Sequence, residues 1–278
     1  YISMSNTEKT PEIREGQSVE LLKALHILTR DGKLNQDSRR KLKQVYHLYN
    51  FIEPLLAEVM ADKGDLTLAD HGAGKSYLGF ILYDLFLKAR DTGHIYGIET
   101  RPELVSRSVS LAQQLDFPRM HFLNMSVEAS RQMDSLPAQF DIVTALHACD
   151  TATDDAIRFA LDKQARFMVL VPCCQAEVAS VLKKHKNQSL SRSPLAELYR
   201  HPIHTRELGS QLTNVLRCLQ LEAHGYQVTV TELVGWEHSM KNELIIARHT
   251  GQPRGNARER MAALLAEFSL EELAARFA

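Results

Sequence analysis

The chain has 278 residues, with 33 Lys+Arg against 34 Asp+Glu and a net charge of -1; 44% of it is apolar and 24% charged. That is the balance of an ordinary soluble globular protein and argues against a bulk polyanion binder. No apolar run approaches the roughly 20 residues of a membrane span, and the polar N-terminus lacks a signal-peptide pattern. Four cysteines, Cys149, Cys173, Cys174 and Cys218, are too few for a disulfide scaffold and suggest a reduced, cytoplasmic setting.

In chain order, residues 1–17 read as a disordered tail. Residues 18–60 follow a helical pattern, with Leu21, Leu22, Leu25 and Leu28 on one stripe and Val45, Leu48, Ile52, Leu55 and Leu56 on another. A break is expected at Asp31-Gly32, and Pro54 should bend or divide the second helix. This segment is expected to form a helical cap. Residues 61–250 alternate strands with helices. Strands are predicted at LTLAD, HIYGIE, MHFLNM, FDIVTALHA and RFMVLV, then at YQVTVTEL and NELIIARH. Such alternation implies a mostly parallel sheet covered by helices on both faces. The last two strands leave no room for a helix between them and should pair as an antiparallel hairpin. Residues 251–278 read as C-terminal helices, with Met261, Leu264, Leu265 and Phe268 on one stripe. Ser269 to Glu272 reads as a capping box.

Asp70-His71-Gly72-Ala73-Gly74-Lys75-Ser76 joins the first strand to a helix. Gly72 and Gly74 let the backbone approach a ligand, and the helix N-terminus suits an anionic group. Asp70 ends the strand where a carboxylate meets an ammonium group. Glu99 ends the next strand, in the place that binds ribose hydroxyls. Triphosphate binding is a rival, because GAGKS resembles the end of a P-loop, but the glycine required five residues before Gly74 is Ala69. A nicotinamide dinucleotide is another; Tyr77 stands where its third glycine belongs. Asn124 and Met125, at the end of the third strand, are candidates for an adenine contact; their bland reading is a turn and a core methionine.

Chemistry in an open α/β sheet gathers beyond the carboxyl ends of its strands. Two such ends carry His147-Ala148-Cys149-Asp150 and Pro172-Cys173-Cys174-Gln175. His147 and Asp150 are titratable, and Gln175 can hold an acceptor by hydrogen bonds. Cys173 or Cys174 could serve as a nucleophile, or both could be structural. Asp154 reads as an acid in a helix first turn. Zinc is not expected, because H-x-C and C-C lack the usual ligand separations. Arg217, His238, Lys241 and Asn242 are further polar candidates, the last three on the hairpin tip. Arg39 to Lys43, Lys183 to Arg192 and Arg200 to Arg206 are basic runs, either solvated faces or RNA contacts.

The stretches LHACDTATDDA, VPCCQ and EHSMKNELIIA resemble a bacterial branch of the methyltransferase-32-type family, over roughly Leu42 to Arg248. The family is distantly similar to eukaryotic tRNA ribose methyltransferases, whose corresponding stretch reads H-x-C-G-x-x-T-D; Asp150 replaces that glycine here. The Lys43-Gln44 pair matches the family, and Gln44 is expected to close over the cofactor. The resemblance implies a Rossmann-like class I fold: a mostly parallel seven-stranded sheet with a terminal antiparallel hairpin and an N-terminal helical cap. It implies S-adenosylmethionine as cofactor and RNA, tRNA or rRNA, as methyl acceptor. A small molecule or protein as acceptor, or a non-catalytic cofactor-binding module, are the alternatives.

Overall fold

The computed structural model describes residues 13–72, 77–131, 133–146, 151–173, 175–185, 194–233 and 243–278. The elements are α1 (Val19–Ala24), α2 (Gln36–Lys63), β1 (Thr67–His71), α3 (Tyr77–Leu82) with a π-helical turn at Tyr83–Leu87, β2 (His94–Glu99) and α4 (Pro102–Gln114). They continue with β3 (Met120–Asn124), α5 (Val127–Arg131), β4 (Ile142–Leu146), α6 (Thr151–Asp162), β5 (Phe167–Val171) and α7 (Glu177–His185). A 3₁₀ turn at Pro194–Tyr199 then leads to α8 (Pro202–Ala223), β6 (Tyr226–Glu232), β7 (Glu243–His249), α9 (Ala257–Glu267) and a final 3₁₀ turn at Glu271–Arg276. The seven strands form one sheet in the order β3-β2-β1-β4-β5-β7-β6. β1 to β5 pair in parallel, while β7 runs antiparallel to both β5 and β6.

Strands covered on both faces read as continuous apolar runs, and every residue of β5 is buried. Successive side chains point to opposite faces. Leu68, Ile142, Val169 and Leu244 therefore join one core with α1, α2 and α3, whereas Ala69, Val143, Leu170 and Ile245 join another with α6 and part of α8. The N-terminal helices are thus built into the first core. A third apolar cluster joins α7, α8, α9 and the final turn.

Helix α2 is capped by the Asn35 side chain, which accepts from the Ser38 N–H at 2.8 Å, and closed by Gly64 at φ +69°. It runs through Pro54 undivided. The proline sits on the exposed side, so the hydrogen bond it removes faces water rather than the core. Ile13 to Gln17, expected to be disordered, is docked on α2: Tyr46 donates to Gln17 Oε1 at 2.6 Å, and the Arg14 guanidinium lies over the Tyr46 ring. The tail is extended further by Asp84, which accepts the Ser18 N–H at 2.9 Å. Residues 1–12 of the expected tail lie outside the described residues. The final turn starts one residue later than the expected capping box at Ser269. Ser269 has φ +53°, and Leu270 occupies the N-cap position without a side-chain cap. The helical stretch after β5 resolves into α7, the 3₁₀ turn and the long α8.

Candidate active site

All five parallel strands end at the same edge of the sheet. The chain leaves β1 for β2 and β3 on one side, then returns to β4 on the other, so the edge above β1 and β4 is the topological switch point where α/β sheets bind ligands. Gly72 opens the loop there with φ +61°, a left-handed conformation that favours glycine, and its N–H donates to the Ile98 carbonyl at 3.1 Å. Gly74 and the rest of residues 73–76 lie outside the described residues.

Asp70 is 3% exposed. It accepts the Thr144 hydroxyl at 2.7 Å and a backbone hydrogen bond from Gly79, so its carboxyl ties β1 to β4 and to the first turn of α3. Burial pushes its pKa up to about 6 against the lowering effect of those two bonds. The next residue, His71, turns to the other face, edge-on to Phe159 with ring centroids 4.3 Å apart. Both its ring nitrogens are buried without a hydrogen-bond partner among the described residues, and burial pushes its pKa down to about 3. A polar residue in a strand buried on both faces was the available signal, and sequence reasoning passed over it.

Glu99 is buried at the end of β2. Its Oε1 accepts from the Arg101 N–H at 3.0 Å and Nε at 2.9 Å, and its Oε2 accepts from Arg101 Nη2 at 3.1 Å. Asn124 pairs with it in register on β3 and donates its amide to the Glu99 and Thr100 carbonyls, while the Met125 N–H donates to the Glu99 carbonyl at 3.1 Å. Asn124 and Met125 therefore hold the turn that presents Glu99. Gln44 is half-buried on α2. Glu58 and Asp62 on that helix pair with Arg166 and Arg248, beside the start of β5 and the end of β7. Those contacts mark the amino edge of the sheet. Gln44 lies roughly 21 Å back along the axis at 1.5 Å per residue, towards the carboxyl edge.

Beyond β4 and β5 the structure builds a buried polar network. Arg217 on α8 forms two bonds to Asp154 in the first turn of α6, Nε–Oδ1 at 2.6 Å and Nη2–Oδ2 at 3.0 Å. Its Nη1 donates to Asn214 Oδ1 at 3.2 Å. Gln175 Nε2 donates to the same oxygen at 2.9 Å, and Gln175 Oε1 accepts from the Ser210 hydroxyl. Asn214 in turn donates to Glu243 Oε2, at the start of β7, at 2.7 Å. Gln175 was expected to hold an acceptor; its amide is instead engaged at both ends inside the protein, where leaving buried polar groups unpaired is costly. Arg217 is likewise buried rather than turned to a ligand. Asp154 does stand in a helix first turn, but its carboxylate is held by Arg217. Ser210, Asn214 and Arg217 recur at helical spacing on one face of α8, a polar stripe where an apolar one belongs, and that signal was in the sequence. Cys173 is half-buried directly after β5. His147, Asp150, Cys149, Cys174 and the tip residues His238, Lys241 and Asn242 lie outside the described residues.

The strand order, the terminal antiparallel strand and the glycine turn flanked by Asp70 and Glu99 define a class I methyltransferase, the architecture built around S-adenosylmethionine. Residues 40–181, about half of the chain, match the methyltransferase-32 family model, described as a methyltransferase domain, and the chain belongs to that family. Among curated proteins it is similar to a glutathione S-transferase C-terminal domain-containing protein of Bos taurus, 24% identical over 244 residues, covering 79% of this chain and 35% of the relative. A homologue from Drosophila pseudoobscura pseudoobscura is 29% identical over 168 residues, covering 53% of this chain and 28% of the relative. The chain thus spans about a third of the length of such relatives. These are animal proteins and lend the expected bacterial branch and the link to tRNA ribose methylation no support. Among solved structures, the S-adenosylhomocysteine-bound Podospora anserina methyltransferase PaMTH1 is similar at a TM-score of 0.47 and 12% identity, covering 87% of this chain and 91% of that one. Magnesium protoporphyrin IX methyltransferase from Synechocystis PCC 6803 follows at 0.45 and 16%, covering 84% and 95%. Among the described residues no helix is long and apolar enough to cross a membrane.

Proposed function

We propose that this chain is an S-adenosylmethionine-dependent methyltransferase whose acceptor is RNA. The observation that carries the cofactor is the placement of Asp70, Gly72 and Glu99 at one switch point, in a chain of the methyltransferase-32 family. The residues fit the group. Glu99 presents two carboxylate oxygens to a ribose diol, and the Arg101 side chain that meets them is 58% exposed, so solvent can take it when the diol arrives. Asp70 is a buried carboxyl with few partners, suited to gain a positive neighbour. When bound, the cofactor supplies an activated methyl group on a sulfonium. The protein's task is then to place the acceptor in line and to take its proton. Asp150, with His147 orienting the loop, is the proposed proton acceptor; Cys173 and Cys174 are the fallback. Asn124, Met125 and Gln44 are proposed to border the adenine and close over the cofactor.

The basic segments support RNA over a neutral metabolite. Arg39 to Lys43 lies in the part of α2 towards the carboxyl edge, Lys183 lies near the end of α7, and Arg200 to Arg206 spans the start of α8. The test is titration calorimetry with S-adenosylmethionine and its demethylated product, followed by transfer of labelled methyl into RNA, protein and metabolite fractions. Binding at micromolar affinity is expected, about 8 kcal/mol. Glu99→Ala should weaken it by about 1–3 kcal/mol through lost charged hydrogen bonds. A protein that binds neither form of the cofactor contradicts the reading at its root; label in the metabolite or protein fraction alone replaces the acceptor.

A further inference from the structure

The basic runs that begin at Lys183 and at Arg200 are separate in sequence, and the fold brings Lys183 and Arg206 to one groove. Helices α7 and α8 cross so closely that a Cβ on Gly209 would meet the backbone nitrogen and Cα of Ala179 at 2.7 and 2.8 Å. That contact holds the helices at a fixed spacing. Beside it lies a groove of about 540 Å³ whose lining reaches Ala176, in the segment between β5 and α7.

The groove is lined by two cations, Lys183 and Arg206, and two hydroxyls, Ser180 and Thr205, with no carboxylate among its lining residues. Pro202, the first residue of α8, also lines it. The positive end of that 22-residue helix is therefore at the groove, with no acid in the first turn and no side-chain cap on the N-cap residue His201. Thr205 Oγ1 donates to the His201 carbonyl at 3.1 Å, so its proton is engaged within α8. Arg206 contacts Glu207 at 3.1 Å in an exposed pair, of the kind that water and salt screen and a phosphate readily replaces. Lys183 has no carboxylate partner among the described residues.

We propose that this groove binds the phosphodiester backbone of the RNA acceptor, seating a phosphate between Lys183 and Arg206 at the head of α8. The proposal rests on the RNA reading of the function. A hydroxyl at Ser180, two cations and a helix N-terminus are the groups that contact phosphate oxygens. The groove is sized for a nucleotide unit rather than for a protein surface. Because its lining reaches Ala176, in the segment between β5 and α7, a strand seated there is led towards the loop after β5. The backbone contact would set register, while the base or ribose to be methylated is chosen at the sheet edge.

The experiment is binding of a fluorescently labelled tRNA-sized RNA to the full chain, followed by anisotropy between 50 and 300 mM salt, with S-adenosylmethionine binding measured alongside. Wild type is compared with the Lys183→Glu/Arg206→Glu pair and with Lys183→Arg/Arg206→Lys. The charge reversal should weaken RNA binding at low salt by tenfold or more and reduce the slope of log K against log salt by about 1–2, at roughly 0.7–0.9 per phosphate contact. It should leave cofactor affinity intact. The conservative pair should retain most of the binding. RNA affinity and slope unchanged by the reversal overturn the groove while leaving an RNA methyltransferase standing. A wild type that binds no RNA and moves no label into RNA overturns the acceptor reading itself, and the groove with it.

Discussion

Arg217 lays its guanidinium against both carboxylate oxygens of Asp154, at 2.6 and 3.0 Å, with the two side chains 1% and 4% exposed. This pair joins α8 to the first turn of α6, directly after the loop that carries His147 and Asp150. Through Asn214 it reaches Gln175 behind β5 and Glu243 at the start of β7. One buried cation thus fixes the bases of three segments at the edge where the acceptor is expected.

Removing either member strands a buried charge, so Arg217→Ala and Asp154→Ala should each lower stability by about 3–5 kcal/mol. Arg217→Lys should recover only part, since an ammonium cannot repeat the forked contact. Urea unfolding midpoints of the three variants check this. Midpoints within error of wild type would show that the network is not a support.

His71 sits buried with both ring nitrogens unpartnered among the described residues. His71→Leu removes that cost and should stabilise the protein by about 1–3 kcal/mol at neutral pH. The pH dependence has a definite sign. The folded ring is held neutral, its pKa pushed down to about 3, against about 6.5 in the unfolded chain. Stability is therefore fully present above the unfolded value and lost as pH falls below it. Wild type should lose stability between pH 7 and 5 more steeply than His71→Leu. Parallel curves, measured as urea midpoints at pH 7, 6 and 5, would count against a neutral buried imidazole.

Asp70 behaves in the opposite sense. Its pKa is raised to about 6, so the stability due to its neutral form is present below about 3.9 and lost as pH rises through the folded value. A cation beside it favours the carboxylate. Cofactor affinity should therefore climb between pH 5 and 7 in wild type and stay flat in Asp70→Asn, as read by calorimetry. The same climb in both proteins would separate Asp70 from the cofactor.

Asp150 is proposed as proton acceptor, so Asp150→Ala should cut turnover by about 10² or more with little change in cofactor affinity. His147→Ala should be milder. Full turnover in Asp150→Ala on the true acceptor would move the role to Cys173 or Cys174. RNA containing 5-fluorocytosine would then trap a covalent adduct that Ser in place of the reacting cysteine abolishes.

Sequence alone determined the alternation of strands and helices, the antiparallel last pair, and the positions of Gly72, Asp70 and Glu99. Each of these depends on local signals: period-2 or continuous apolar runs, a glycine where φ turns positive, an acid at a strand end. Tertiary structure decided which polar groups stand at the carboxyl edge of the sheet and which are consumed within the protein. Gln175 and Arg217 look alike as candidates in a string of letters; only the approach of α8 to the ends of β4 and β5 shows that they bind one another's neighbours. Pro54 could be read as a helix breaker until its exposed placement showed that the lost bond faces water. The groove that holds Lys183 and Arg206 likewise has no linear signature, because it lies beside the close approach of Gly209 to Ala179, a contact between residues 30 apart that forms when two helices pack. Partner choice for a buried polar group is a long-range competition among all the groups the fold brings near, and a one-dimensional pattern carries only the local half of it.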